Sequence, residues 1–211
     1  MPLKAVKGQV VEYFIVDHSI TEESINYLGI EPWKLYFDGS SHKDGTGVGV
    51  LIISPNKIPT TFKYKIEGDC SNNEAEYEAL IVGLEILLEL GATRVEIMGD
   101  SELVLKQVTK EYKCIRENLI MYFVIARRLL KNFEVVNVRH IPRLENQMAN
   151  DLAQIASGYK VSKEKLQQAI EVRGRVASTK LSLIDLETTM LGYTDHENYE
   201  ISFIDNLTEQ D

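Results

Sequence analysis

The chain has 211 residues, of which 44% are hydrophobic, so it can bury one sizeable core, and its length leaves room for one domain with flanking segments. Its formal net charge of −9 weighs against a nucleic-acid partner, because phosphate contacts require Lys and Arg. The charge is uneven, however: residues 31–158 carry 15 basic and 18 acidic side chains, whereas residues 159–211 carry 6 and 10. Acidity therefore does not exclude nucleic acid as a partner of the central part.

Neither membrane insertion nor secretion is expected. The apolar stretch at 79–90 is interrupted by Gly83 and Glu85 and is shorter than the roughly 20 residues that a spanning helix needs. The sequence begins without a secretory leader, and Cys70 and Cys114 have no ligand-like spacing. We expect an intracellular protein with free thiols, in the cytoplasm or the nucleus.

Hydrophobic periodicity from Trp33 onward predicts elements in the order β-β-β-α-β-α-α-β-α. The predicted strands are 33–40, 48–54, 60–68, 93–100 and 133–141, and the predicted helices are 71–92, 101–112, 117–133 and 145–157. The first strand is expected to end in an Asp-Gly turn at Asp38, and the second helix to be capped by Asp100 or Ser101. This pattern indicates an α/β protein with a five-stranded mixed sheet, three strands antiparallel and then two parallel, flanked by helices.

The flanks carry weaker signals. Residues 1–30 have little periodicity, and residues 159–211 contain one plausible helix at 162–172 followed by polar and acidic sequence. Neither flank contains an internal repeat or a low-complexity tract. We interpret both as connectors around one domain at 31–158.

Three acidic side chains are predicted to converge although they are distant in sequence. Asp38 is expected to close the first strand, Glu76 lies in the first turns of the first helix, and Asp100 is expected to close the fourth strand. Taken singly, they are typical of a turn residue, a solvated helix residue and a helix cap. Together they form the kind of carboxylate set that can hold two hard divalent cations at a phosphodiester.

Four segments resemble the motifs of type I ribonuclease H, in order, over about residues 33–157: YFDGS, SNNEAEYEAL, GDSELVLKQV and RHIPRLENQMANDLA. They are most similar to the ribonuclease H of plant gypsy-type retrotransposon polyproteins, in which KGQ-containing sequence, here Lys7-Gly8-Gln9, links the reverse transcriptase. The resemblance implies an RNase H-like fold and an endonuclease that hydrolyses the RNA strand of RNA/DNA hybrids.

The resemblance also implies a polyprotein context. Residues 1–30 would be the end of a reverse transcriptase region, and residues 159–211 a linker toward an integrase that is itself absent, since they hold no His/Cys zinc cluster. The implied partners are the hybrid and the neighbouring reverse transcriptase and integrase domains, with no membrane.

By the same resemblance, Asp38, Glu76 and Asp100 are the ligands of two Mg²⁺ ions, for which Mn²⁺ is expected to substitute. His140 matches the loop histidine thought to aid proton transfer or product release.

Five further positions match the family's substrate contacts. Asn72 and Asn73 correspond to paired asparagines that touch the minor groove of the hybrid, where 2′-hydroxyls distinguish RNA from DNA. Gly39, Ser40 and Ser101 correspond to backbone and hydroxyl contacts. Helix capping is the ordinary interpretation of Asn72 and Asn73, and it is compatible with substrate contact.

The chain departs from the family at the fourth carboxylate. Ten residues after His140 stands Asn150, where the family usually has Asp, and Asp151 follows it. An Asn offers a neutral carbonyl to a metal but no charge. In a helix Asp151 would point about 100° away from Asn150, so it could replace the missing carboxylate only if the helix start were shifted or bent. We keep both Asn150 and Asp151 as candidate catalytic and metal-binding residues and expect weak or slow activity.

A second departure concerns basic residues. The stretch from Asp100 to His140 leaves no room for the extra basic helix of some bacterial members. Arg127, Arg128 and Lys131 are either a small substitute or an ordinary solvated helix face.

Two other functions compete with this one. The first is an RNase H-like scaffold that binds nucleic acid but is catalytically weak or inactive because of Asn150. The second is a metal-dependent exonuclease of the same fold, which Ser40 disfavours because those enzymes place Glu at that position.

Overall fold

The computed structural model describes residues 31–158 and 170–176 and the backbone of residues 201–205. Its strands are β1 (Trp33–His42), β2 (Gly45–Ile53), β3 (Pro59–Ile66), β4 (Arg94–Gly99), β5 (Val135–His140), β6 (Glu171–Arg173) and β7 (Ile201–Asp205). Its helices are α1 (Asn72–Glu89), α2 (Glu102–Val108), α3 (Glu117–Leu130) and α4 (Gln147–Ser157). The elements predicted from Trp33 to Ser157 are all present in the predicted order, and residues 1–30 lie outside the described part.

One mixed sheet contains all seven described strands, in the order β6-β3-β2-β1-β4-β5-β7. The first three strands form an antiparallel meander, and β4 and β5 run parallel to β1. Parallel neighbours require a crossover, which α1 supplies before β4 and the pair α2 and α3 supplies before β5. The predicted mixed sheet flanked by helices is confirmed.

The first strand is longer than the sequence predicted. Asp38 pairs with Gly49 of β2, and the pairing continues to His42 opposite Gly45. The expected turn at Asp38 was therefore wrong, because β2 supplies backbone partners on both sides of it. The hairpin turn is instead the two-residue loop Lys43-Asp44, and Gly45, the first residue of β2, has φ +139°.

Two helices approach the sheet closely because glycines face them. A Cβ atom on Gly39 would lie 2.1 Å from the carbonyl carbon of Ala75 in α1, and one on Gly49 would lie 2.1 Å from the carbonyl oxygen of Ala149 in α4. Gly49 is paired with Asp38, whereas Gly39 follows Asp38 and so points to the other face. The helices α1 and α4 therefore cover opposite faces of the sheet on either side of Asp38.

Helix α1 begins at a capping box and ends before a left-handed glycine. Ser71 is its N-cap, with a capping box in which the Ser71 side chain accepts from the Glu74 N–H and the Glu74 carboxylate accepts from the Ser71 N–H. The helix ends at Leu90, followed by Gly91 in the left-handed conformation with φ +73°. Ser71, and neither Asn72 nor Asn73, is therefore the capping residue.

The C-terminal flank adds two strands that the sequence did not predict. β6 runs parallel to β3 at one edge of the sheet, and β7 runs parallel to β5 at the other. Most of the helix predicted at 162–172 lies outside the described residues, but its last two, Glu171 and Val172, belong to β6. No helix in the described part of the chain has the length and apolar character needed to cross a bilayer.

We expect Gly39→Ala and Gly49→Ala each to lower the free energy of unfolding by about 3 kcal/mol, the upper end of the usual cost of overpacking, because each added methyl meets helix backbone. Gly174→Ala is the matched control, since nothing lies within 4 Å of its Cβ position, and it should change stability by less than about 0.5 kcal/mol. Denaturant unfolding monitored by circular dichroism measures all three. Equal stability of the three variants would contradict this packing.

Candidate active site

The candidate site lies where β1 and β4 separate, here called the β1–β4 fork. Their parallel pairing ends at Tyr36 and Met98. Asp38 stands two residues beyond that point on β1, and Asp100 two residues beyond it, directly after β4, so both carboxylates extend from the same end of the two strands. The crevice beyond the carboxyl ends of neighbouring parallel strands is where open α/β sheets usually bind ligands.

Helix α1 brings the third carboxylate to the fork. Because Gly39 lets the helix backbone approach β1, the Gly39 N–H donates to Glu76 Oε2 at 3.3 Å. Asp38, Glu76 and Asp100 then each offer one oxygen atom, and these three atoms lie within 4.8 Å of one another. The predicted convergence of the three residues is present in the structure.

The cluster concentrates negative charge. Burial raises the pKa of Asp38 to about 7, and the neighbouring Asp100 carboxylate adds to this effect. Burial also raises the pKa of Glu76, again with contributions from Asp38 and Asp100. The Arg143 guanidinium acts in the opposite direction on the pKa of both groups. Three converging carboxylate oxygens are the hard donor set that Mg²⁺ and Mn²⁺ prefer, so these residues fit a divalent cation.

Asn146 has a structural role that the sequence analysis missed. Its Nδ2 donates to the Phe37 carbonyl at 2.8 Å and to Asp100 Oδ1 at 2.8 Å, and the residue is only 1% exposed. It therefore connects β1 directly to the carboxylate that follows β4. Asn146 occupies the N-cap position of α4 but makes no side-chain cap hydrogen bond, because its amide is directed to the fork. The sequence signal that could have drawn attention to Asn146 is that Asn, a common capping residue, stands at the start of this helix.

His140, the last residue of β5, lies beside the site. It is in register with Gly99 of β4, and its Nε2 lies 3.3 Å from the Asp100 carbonyl oxygen. The ring is partly exposed. The structure thus brings the predicted histidine to the edge of the carboxylate cluster.

The two candidates for the fourth ligand point in different directions. Asp151 is exposed on α4, where its Oδ1 accepts from Gln147 Nε2 at 2.7 Å. Asn150 is 1% exposed and faces Arg143. Since a guanidinium can only donate, the Asn150 oxygen faces it, at 2.9 Å from Nε and 2.6 Å from Nη2. Both residues lie within α4, and Asp151 does not turn toward the fork. Arg143, which contacts Asn150 and opposes the rise in the pKa values of Asp38 and Glu76, is a second residue whose role was not predicted from the sequence.

The predicted substrate-contacting residues lie on β1 and at the starts of α1 and α2. Asn72 is exposed and Asn73 partly exposed in the first turn of α1. Ser101 is at the N-cap position of α2, as predicted, but its side chain makes no capping hydrogen bond. Ser40 is buried within β1, and the Gly39 N–H is directed at Glu76.

Comparisons with known proteins agree with this geometry. Residues 36–156 match the family model described as "Reverse transcriptase-like". "Ribonuclease HI" of Halobacterium salinarum is 36% identical over 120 residues, which are 56% of this chain and 60% of that protein. This chain thus spans less than two thirds of the length of that relative.

Solved structures show the same fold. The crystal structure of RNase H1 from Halobacterium salinarum matches with a TM-score of 0.57 and 35% identity, covering 60% of this chain and 97% of that one. LC11-RNase H1, solved in complex with an RNA/DNA hybrid, matches with a TM-score of 0.55 and 30% identity, covering 60% of this chain and 96% of that one. The fold expected from the sequence is confirmed.

The raised pKa values predict a pH dependence of the metal-free protein. The pKa of Asp38 rises from its ordinary value of 3.8 to about 7 in the fold. The folded state therefore holds this proton more tightly than the unfolded chain, so the contribution of Asp38 to stability is present at low pH and is lost as the pH rises through about 7. Because a metal ligand must lose its proton, affinity for Mg²⁺ or Mn²⁺ should rise over the same range. Thermal unfolding in a chelator and calorimetric titration with Mn²⁺, both from about pH 5 to about pH 8, measure the two effects.

Asp38→Asn serves as the control, since it removes one titrating member of the cluster. It should flatten the fall in stability with rising pH. A wild-type protein whose stability and metal affinity are both constant over this range would contradict the charge coupling at the fork.

Proposed function

Because this chain belongs to the reverse transcriptase-like family, we propose that it is a ribonuclease H, an endonuclease that hydrolyses the RNA strand of RNA/DNA hybrids. The observation that carries the proposal is the set of three carboxylate oxygens within 4.8 Å of one another at the β1–β4 fork. Support comes from the relative named Ribonuclease HI and from the RNase H1 structure solved with a hybrid.

The cofactor in this proposal is Mg²⁺, bound as two ions, with Mn²⁺ as a substitute. Asp38, Glu76 and Asp100 would hold the ions, and the ions would supply activation of a water for in-line attack and stabilisation of the departing oxygen. The products are a 3′-hydroxyl and a 5′-phosphate; 3′-phosphate products would rule this mechanism out.

The other side chains act on the substrate and on protons. Asn146 fixes the orientation of the Asp100 carboxylate through its hydrogen bond to Oδ1. His140, next to the Asp100 backbone at the edge of the cluster, is placed to take up or deliver a proton or to aid product release. Asn72 and Asn73, accessible at the start of α1, contact the minor groove of the hybrid. Gly39, Ser40 and Ser101 complete the substrate contacts.

We further propose that the chain is part of a plant gypsy-type retrotransposon polyprotein. The support is the amino-acid sequence of the four motifs and of Lys7-Gly8-Gln9. In this proposal residues 1–30 continue from a reverse transcriptase region, residues 159–211 lead toward an integrase, and the enzyme acts in the cytoplasm or the nucleus. Neighbouring domains would then add to the affinity for substrate.

A catalytically weak or inactive scaffold is the second candidate function. It is favoured by one observation, the buried Asn150 amide that engages Arg143 where the family usually places a carboxylate. Hybrid binding without metal-dependent cleavage would establish it.

Cleavage of a labelled RNA/DNA hybrid tests the two functions against each other. We expect Mg²⁺-dependent cleavage that falls at least about a hundredfold in Asp38→Asn, Glu76→Gln and Asp100→Asn, since each removes one ligand charge. Glu117→Gln on the exposed start of α3 is the matched control for the loss of one carboxylate. Duplex DNA and duplex RNA should not be cleaved. Cleavage that persists in the three site variants would contradict the proposed site.

Asn150→Asp tests the departure from the family. We expect it to increase Mg²⁺-dependent turnover about tenfold, because the new carboxylate adds a charged donor beside the cluster. Steady-state kinetics as a function of Mg²⁺ concentration provides the comparison. Unchanged or lower turnover would mean that no fourth carboxylate is required.

A further inference from the structure

Residues 170–176, here called the C-terminal strap, lie outside the domain boundary expected from the sequence but are tightly joined to the described domain. Their strand β6 pairs with β3, and the Glu67 N–H donates to the Arg173 carbonyl at 3.0 Å. The Arg173 guanidinium forms an ion pair with Glu85, in the second half of α1. The strap thus connects the edge of the sheet to the back of α1.

Arg175 of the strap contacts two helices and the loop before α1 at once. Its Nε donates to the Tyr122 hydroxyl of α3 at 2.9 Å, and its Nη1 donates to the Asp69 carbonyl at 3.0 Å. Its Nη2 donates to Glu74 Oε1 of α1 and forms an ion pair with it. The planar guanidinium can satisfy three partners in fixed directions, which the single ammonium of a lysine does less well.

The contact with Glu74 reaches the start of α1. While Oε1 of Glu74 accepts from Arg175, its Oε2 accepts from the Ser71 N–H at 2.8 Å, which is the carboxylate half of the capping box. Arg175 therefore fixes the side chain that fixes the first turn of the helix. That turn contains Asn72 and Asn73, and Glu76 follows in the next.

The strap also forms a hydrogen bond to a buried acidic side chain on α1. Glu78 is 0% exposed, and the Val176 N–H donates to its Oε1 at 2.8 Å. Burial raises the pKa of Glu78, and the Val176 N–H and the Tyr122 hydroxyl act against that rise. Without the strap, α1 would bury this carboxyl group with fewer hydrogen-bond partners, which is costly in a protein interior.

We propose that the C-terminal strap is a working part of the ribonuclease H domain, in which Arg175 is a positioning residue that holds the start of α1 through Glu74 and thereby sets Glu76 for metal and Asn72 and Asn73 for substrate. The proposal rests on the proposed function only for the identity of metal and substrate. It also extends the domain to at least residue 176.

The test compares two arginines of the same strap. Arg175→Ala removes the contact with the capping box, and Arg173→Ala removes an ion pair that meets α1 near its other end, at Glu85. Both should lower the melting temperature. Only Arg175→Ala should weaken Mn²⁺ binding, by about tenfold, and speed hydrogen exchange of the amides from Ala75 to Tyr77. Calorimetric titration and exchange mass spectrometry are done on the full chain without hybrid.

Two milder variants keep the test decisive if Arg175→Ala fails to fold. Arg175→Lys retains the charge and should restore part of the Mn²⁺ affinity, and Ser71→Ala, which removes the other half of the capping box, should reproduce the loss. Equal Mn²⁺ affinity and exchange rates in the Arg175 and Arg173 variants would overturn the proposal and leave the strap a stabilising segment only. Since no hybrid is present, failure of the wild-type protein to cleave hybrid would contradict the proposed function and leave this result intact.

Discussion

Three carboxylates that repel one another meet at the β1–β4 fork, and the surrounding fold has to compensate their charge. Burial and proximity raise the pKa values of Asp38 and Glu76, so bound protons or cations favour the folded cluster. The protein supplies partial compensation through the Gly39 N–H, the Asn146 amide and the Arg143 guanidinium. A divalent cation would complete it and, by binding only the folded state, would stabilise the fold.

The scaffold that holds this charge is built from close backbone contacts. Gly39 admits α1 on one face of the sheet and Gly49 admits α4 on the other, while β1 continues past the end of its pairing with β4. Asp38 and Glu76 are therefore set by β1 and α1 themselves, and Asp100 by its position directly after β4. Ligand positions fixed in this way favour tight metal geometry, because little order has to be gained on binding.

Much of the fold and the three central carboxylates could be predicted because they depend on local signals. Periodicity identified each strand and helix from β1 to α4, and the expected placement of Asp38, Glu76 and Asp100 near element ends predicted the cluster, although β1 in fact continues past Asp38. The turn expected at Asp38 was wrong because pairing with β2 continues past Asp38 and places the chain reversal at Lys43-Asp44. Ser71 rather than Asn72 caps α1 because Glu74 completes its capping box.

The remaining features depend on contacts between distant residues. β6 has only three residues, too few for a periodic pattern, and the strap is held through Arg173 and Arg175, which are 88 and 101 positions from their partners on α1. Asn146 and Arg143 acquire their roles only when the loop before α4 reaches the fork. Neither residue has a chemical signature that distinguishes it, from sequence alone, from an ordinary helix-start or surface residue.

Anomalous scattering from a crystal of the protein soaked in Mn²⁺ would locate the metal without reliance on activity. We expect anomalous density in contact with the carboxylates of Asp38, Glu76 and Asp100, and its loss in Asp100→Asn. Density elsewhere, with none at the β1–β4 fork at a Mn²⁺ concentration that supports cleavage of hybrid, would contradict a metal site formed by these three carboxylates.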